Sequence, residues 1–223
     1  MTLLLVVPSR GRPEKAALVR EAFFDTKGDA ETELIFVLDD DDPTRGEYPV
    51  QQWVVSARGN MNAALQEFVK SGFFLDEPGV TVVGFAGDDH LPRTQGWDTA
   101  ILDLLAAHPG VAYANDLFQG EKLCTNWMMS RPIFDEFGFG LKTVRHLYMD
   151  NYWMALAGGA GCLFYLPDVV IEHMHYQAGK SVEDAGYLRV NSPQMYEHDA
   201  EQFGHWIDGH REQDIERLKR IVG

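Results

Sequence analysis

The apolar run from Val80 to Ala86 stops abruptly at Gly87-Asp88-Asp89-His90, and that boundary constrains the chain more than any other stretch. The run is rich in β-branched residues, too short for a helix, and bounded by Pro78-Gly79 before and Gly87 after, which predicts a buried strand. An interior strand of an open α/β sheet ends at the carboxyl edge, where such sheets bind ligands. Asp88, Asp89 and His90 are therefore expected at the mouth of a crevice. Two adjacent carboxylates repel each other, and a divalent ion that also contacts substrate phosphates offsets that repulsion. The competing role is an N-cap for a helix starting near Thr94 or Gln95, which accounts for one Asp rather than both.

Two earlier segments share the pattern. Leu3 to Val7 is continuously apolar, as in a central parallel strand, and Pro8-Ser9-Arg10-Gly11-Arg12-Pro13 breaks it. Glu33 to Leu38 is the second run, ending in Asp39-Asp40-Asp41-Asp42, of which the last three are expected in solvent. Pro13 opens a helix whose apolar face (Ala16, Val19, Phe23) ends near Gly28, and a second helix is predicted from Gly59 to Lys70. Strands alternating with helices indicate βαβ units, hence an α/β fold with a mostly parallel sheet flanked by helices.

Beyond the opening run, the pattern predicts a helix over Trp97–Ala107 and a strand over Val111–Ala114. Leu123 to Met129 reads as a strand or an extended segment at the far side of the sheet. Helical turns follow over Arg131–Phe137 and a helix after Asp150, then two strands, Leu163–Leu166 and Val169–His175. Residues 1–176 make up the expected catalytic domain, 177–193 a mobile loop, and 194–223 a polar helical extension that packs on the domain or on a second subunit as a homodimer. Trp127, Phe139, Tyr152 and Trp153 are either core or a stacking platform for a sugar.

The 223 residues carry a formal charge of −15, which disfavours a protein that grips nucleic-acid phosphates. Cys124 and Cys162 stand far apart in apolar surroundings, as buried free thiols do. Met1 to Val7 lacks a basic region and is too short for a signal core, so a soluble, cytoplasmic protein without membrane association is expected.

The chain has neither a GxxxxGK[ST] loop nor a well-placed GxGxxG. With Pro8-Ser9-Arg10-Gly11-Arg12 after the first strand, Asp39-Asp40 after the second, Arg58-Gly59-Asn60-Met61-Asn62 at a helix start, Gly87-Asp88-Asp89-His90, and Met149-Asp150 ahead of a helix, it resembles the GT-A fold glycosyltransferases, most closely family 2. That resemblance implies a Rossmann-like GT-A sheet and a metal-assisted, inverting transfer of a sugar from a nucleoside-diphosphate sugar, UDP-linked as first guess, to a soluble acceptor. The acceptor would be a protein side chain, glycan, metabolite or modified base.

By the same resemblance, Pro8, Ser9, Arg10, Arg12, Asp39 or Asp40, Arg58, Asn62 and Asp88 bind the nucleotide sugar. Asp89, with His173 or His175, holds Mn2+ or Mg2+, and Asp150 is the base. Two plainer roles remain open: Asp150 as an N-cap for the helix at Asn151, and the histidines as ordinary hydrogen-bonded strand residues. Two other functions compete. A sugar-nucleotide nucleotidyltransferase needs a Gly-rich loop with a downstream Lys, which Pro8 to Pro13 lacks. A catalytically inactive nucleotide-sugar-binding or assembly module is the other, since a strict Asp-x-Asp is absent.

Overall fold

The computed structural model describes residues 1–48, 52–56, 60–72 and 79–223. Its strands are β1 (Thr2–Ser9), β2 (Glu31–Asp39), β3 (Gln52–Val55), β4 (Val80–Phe85), β5 (His90–Pro92), β6 (Val111–Asn115), β7 (Trp127–Ser130) and β8 (Leu163–His173). Its α-helices are α1 (Pro13–Thr26), α2 (Met61–Lys70), α3 (Trp97–Ala107), α4 (Arg131–Phe137), α5 (Met149–Ala160), α6 (Ala185–Val190), α7 (Pro193–Gly209) and α8 (Arg211–Val222). The strands form an eight-stranded sheet ordered β3-β2-β1-β4-β7-β6-β8-β5.

Every residue of β1 is buried, as a strand covered on both faces requires. Its alternate side chains serve opposite layers. Leu3, Leu5 and Val7 pack with Phe23 of α1 and Trp97 and Ile101 of α3. Leu4 and Val6 join the layer of Phe68 from α2, Phe134 from α4, Trp153 and Leu156 from α5, and Ile215 and Leu218 from α8. The apolar stripe on the otherwise polar α8 thus docks on the main core. Cys124 and Cys162 are free and buried, as expected.

β1, β2, β3 and β4 run parallel, and β7 reverses direction against both β4 and β6. The 123–129 segment therefore reaches the middle of the sheet rather than its far side, because Trp127, Met128 and Met129 are apolar on both faces and all fully buried. The two strands expected over 163–175 are one strand, β8, that changes neighbours. It runs parallel to β6 from Leu163, then antiparallel to β5, pairing His173 with His90. The short strands β3 and β5 and the helix α6 inside the expected 177–193 loop were not foreseen. The C-terminal helix is two helices, broken at Gly209-His210.

Neither Asp88 nor Asp89 caps a helix: α3 begins at Trp97 after Gly96, whose φ of 73° is the left-handed conformation glycine accepts. Asp42, expected in solvent, is buried because it accepts hydrogen bonds from the Gly11 amide (2.8 Å) and the Thr44 amide (2.9 Å), which fixes the loop after β1. Among the described residues, no helix is long and apolar enough to cross a membrane.

The fully buried Asp199 of α7 accepts the backbone N–H groups of Arg145, His146 and Leu147 at 2.9, 2.9 and 2.8 Å. Buried amides without an acceptor are costly, so Asp199→Ala should lower unfolding free energy by about 2 kcal/mol, read as a lower urea midpoint. An unchanged midpoint would show that this turn is held by something else.

Candidate active site

The carboxyl ends of β1, β2 and β4, the start of α5, the end of β8 and helix α6 surround a cavity of about 460 Å³. Pro8, Ser9, Arg10, Arg12, Asp39, Asp88, Asp89, Asp150, His173 and His175 all line it. Strand termination explains the clustering, since each parallel strand delivers its last residues to the same edge. Two nominated residues lie elsewhere. Asp40 is exposed, and Asn62 turns away to donate to the carbonyls of Leu141 (2.9 Å) and Val144 (2.6 Å). Arg58 falls outside the described residues.

On the β1–β2 side, Arg10 donates to Asp39 at 2.8 Å and also pairs with Asp41. Arg12 reaches Asp88 at 3.0 Å and Asp184, just before α6, at 2.6 Å. Ser9 donates to the other Asp88 oxygen at 2.6 Å. Burial raises the Asp88 carboxyl above its ordinary range, with Arg12 opposing and the neighbouring Asp89 adding to the rise.

Asp89 sits among imidazoles. Its Oδ1 is 3.2 Å from His90 Nδ1 and 3.5 Å from His173 Nε2, while Oδ2 accepts from the Tyr187 hydroxyl of α6. Burial opposes its charge, but the two histidines outweigh it and hold the carboxyl well below the usual range. Burial, then His173, lowers His90, with Asp89 opposing. Burial also works against a proton on His173, yet Asp116 and Asp89 prevail and raise it to about 9. The β5–β8 register is the local cause, because paired His90 and His173 point to one face and stack with centroids 4.0 Å apart.

Asp89, His90 and His173 each offer one ligand atom, and these atoms lie within 4.8 Å of one another. His90 Nε2 and His173 Nδ1 are buried with no hydrogen-bond partner among the described residues. A carboxylate with two imidazoles fits a divalent first-row ion such as Mn2+ better than Mg2+, which favours oxygen ligands throughout. His175 stands outside this group, stacked on Phe118 (5.3 Å, 14°) with its Nδ1 accepting from the Gln177 amide.

Asp150 lies in the first turn of α5, whose N-cap is Tyr148, so the N-cap role does not apply to it. Its Oδ1 accepts the Asn151 N–H at 2.8 Å. Burial, opposed by that amide, raises its carboxyl. Phe139, Tyr152 and Trp153 are core, and so is Trp127, which stacks on Phe85 at 4.1 Å and also lines the cavity.

Several residues of the site carried no assignment from the sequence. His90 adjoins the acidic pair and could have been read as a ligand from that position. Asp116 follows the end of β6, the same strand-end signal that marked Asp39 and Asp88. Tyr187, Arg189 and His146 line the cavity but lie in irregular or short segments without a pattern to flag them. Burial, then Arg189, lowers His146 to about 4.

Arg12→Met should expose the cost of the buried acidic pair: about 3 kcal/mol of stability at neutral pH. Without Arg12, the raised Asp88 carboxyl rises further. A carboxyl raised in the folded state weakens folding above that pKa and returns stability as pH falls through it. The deficit in urea should therefore be larger at pH 8 than at pH 5. A deficit independent of pH would point to lost packing instead.

No protein-family model and no curated protein matches the chain. Solved structures do. The mannosyltransferase PcManGT from Pyrobaculum calidifontis, in complex with GDP-Man and Mn2+, aligns with a TM-score of 0.55 at 13% identity over 97% of this chain and 78% of that one. Residues 1–349 of S. aureus TarS in complex with UDP-GlcNAc align with a TM-score of 0.53 at 10% identity over 95% of this chain and 74% of that one. The chain spans 43% of the longer TarS structure. Its eight-stranded sheet, reversed at β7, with strand ends converging on one cavity, is the GT-A fold of these glycosyltransferases.

Proposed function

We propose that the chain is an inverting glycosyltransferase that moves a sugar from a nucleoside-diphosphate sugar to the hydroxyl of a soluble acceptor. The observation that carries this reading is the sharing of one cavity by a cation-ready Asp89–His90–His173 group and a half-buried carboxyl, Asp150, with no ion pair among the described residues. The relatives in fold bind GDP-Man with Mn2+ and UDP-GlcNAc, which supports a nucleotide-sugar donor and makes UDP and GDP sugars the first to test.

Asp39 and Arg10, at the ends of β2 and β1, offer an acceptor and a donor edge for the nucleobase and ribose. Arg12 and Arg189 line the same cavity and supply positive charge for the diphosphate. A divalent ion held by Asp89, His90 and His173 would supply Lewis-acid charge at the leaving diphosphate. Asp150 takes the acceptor's hydroxyl proton as that oxygen bonds to the anomeric carbon. The bond from that carbon to the phosphate oxygen breaks, and its electron pair leaves with the diphosphate. One displacement inverts the anomeric centre. α6 covers the cavity, and Tyr187 within it helps exclude water that would hydrolyse the donor.

The raised Asp150 carboxyl gives a pH signature: it is an effective base only when ionised, so kcat/KM should fall as pH drops through a value above the ordinary carboxylate range. Asp150→Asn should reduce kcat by about 10²- to 10⁴-fold. Its melting temperature should still rise with the donor and Mn2+, as the wild type's does. Transfer undiminished in Asp150→Asn sinks the base assignment. No stabilisation of the wild type by UDP or GDP sugars with Mn2+ counts against a transferase using those donors and favours an inactive assembly module.

A further inference from the structure

Asp116 belongs to none of the roles above, yet it is among the most constrained carboxylates in the molecule. It is 1% exposed, and its Oδ1 accepts three consecutive loop amides: Phe118 at 2.9 Å, Gln119 at 2.7 Å and Gly120 at 2.8 Å. Leu117 adopts a left-handed φ of 55° to let the chain wrap around that oxygen, a conformation unfavourable for a non-glycine residue. Oδ2 accepts from the Thr125 hydroxyl at 2.8 Å. The Asp116 carbonyl also accepts the His173 N–H at 2.9 Å.

This cage aims a fixed carboxylate at one side of His173. Oδ2 stands 3.7 Å from His173 Nδ1, a buried nitrogen with no hydrogen-bond partner among the described residues, while Nε2 on the other side faces Asp89 Oδ1 at 3.5 Å. A neutral imidazole carries its proton on one nitrogen, and the partner of that nitrogen decides which one is left to bind a metal. Carboxylates behind metal-bound imidazoles commonly fix ring and tautomer in this way. We propose that Asp116 is a positioning residue that keeps the His173 proton on Nδ1 and directs the Nε2 lone pair to the ion shared with Asp89 and His90. This rests on the metal-binding reading of that group.

Asp116→Asn separates positioning from loop architecture. The amide oxygen still accepts from the three loop N–H groups, but an N–H donor now faces Nδ1, which moves the ring proton to Nε2 and removes the lone pair. Mn2+ affinity, followed by the EPR signal of the free ion, should fall about 10- to 100-fold. The melting temperature without metal should stay close to that of the wild type. In the Zn2+-loaded wild-type protein, long-range ¹H–¹⁵N spectra should show the His173 proton on Nδ1. That second measurement decides the question even if the variant does not fold.

Equal Mn2+ affinity in wild type and variant, or a wild-type His173 ligating through Nδ1, overturns the positioning role and leaves the metal site standing. A wild type that binds no Mn2+ overturns the metal reading and this proposal with it.

Discussion

Four buried or nearly buried carboxylates around one crevice, Asp88, Asp89, Asp116 and Asp150, set the terms for the rest of the structure. Burying a carboxylate costs several kcal/mol unless charge or hydrogen bonds compensate. Each is compensated differently. Asp88 has a guanidinium and a hydroxyl, Asp89 two imidazoles and a phenol, and Asp116 three amides and a hydroxyl. Asp150 has the Asn151 amide and no ion pair among the described residues. The order of compensation is also an order of chemistry. Under the proposed function, the best satisfied carboxylate would orient a neighbour, the one ringed by imidazoles would hold a cation, and the least satisfied would serve as the base.

The sheet makes this arrangement possible through β8. A strand that kept β6 as its partner to the end would carry His173 away from the acidic turn after β4. By leaving β6 and pairing with β5, it sets His173 beside His90, and β5 follows Asp89 by one residue. The exposed Pro167-Asp168 stretch lies in the bulge between Leu166 and Val170, where the β6 register slips between Ala114 and Asn115, and pairing with β5 begins just beyond, at Ile171. Asp116 follows Asn115 immediately. The bulge in β8 and the turn into the loop behind His173 thus lie side by side, at the end of β6.

What could be read from the sequence was whatever is encoded locally. Apolar runs that stop in Asp39 and Asp88-Asp89 marked strand ends, and strand ends in a parallel sheet share an edge, so those residues meet without knowledge of any distant pairing. The start of α3 at Trp97 and its end at Ala107 were equally legible from apolar spacing and from His108-Pro109-Gly110. Pairings between segments remote in sequence were not legible. The place of β7 inside the sheet, the His90–His173 register and the reach of Tyr187 to Asp89 depend on tertiary packing. The direction of Asn62 was illegible for the same reason: its helix could be placed from apolar spacing, but its side chain is drawn to the distant carbonyls at 141 and 144.

Helix α6 is held over the cavity mainly by polar contacts. Of its six residues only Tyr187 and Val190 are buried, and Leu188 is 62% exposed. Arg12 and Lys15 meet Asp184 and lie against the Tyr187 ring at 4.5 and 4.6 Å. Such contacts regain solvation when they part, so opening forfeits far less than exposing a comparable area of core would. The same Arg12 that holds Asp184 also neutralises Asp88 beneath it. A phosphate-bearing ligand entering the cavity would compete with both carboxylates for that guanidinium, which ties the position of α6 to the charge state of the crevice it covers.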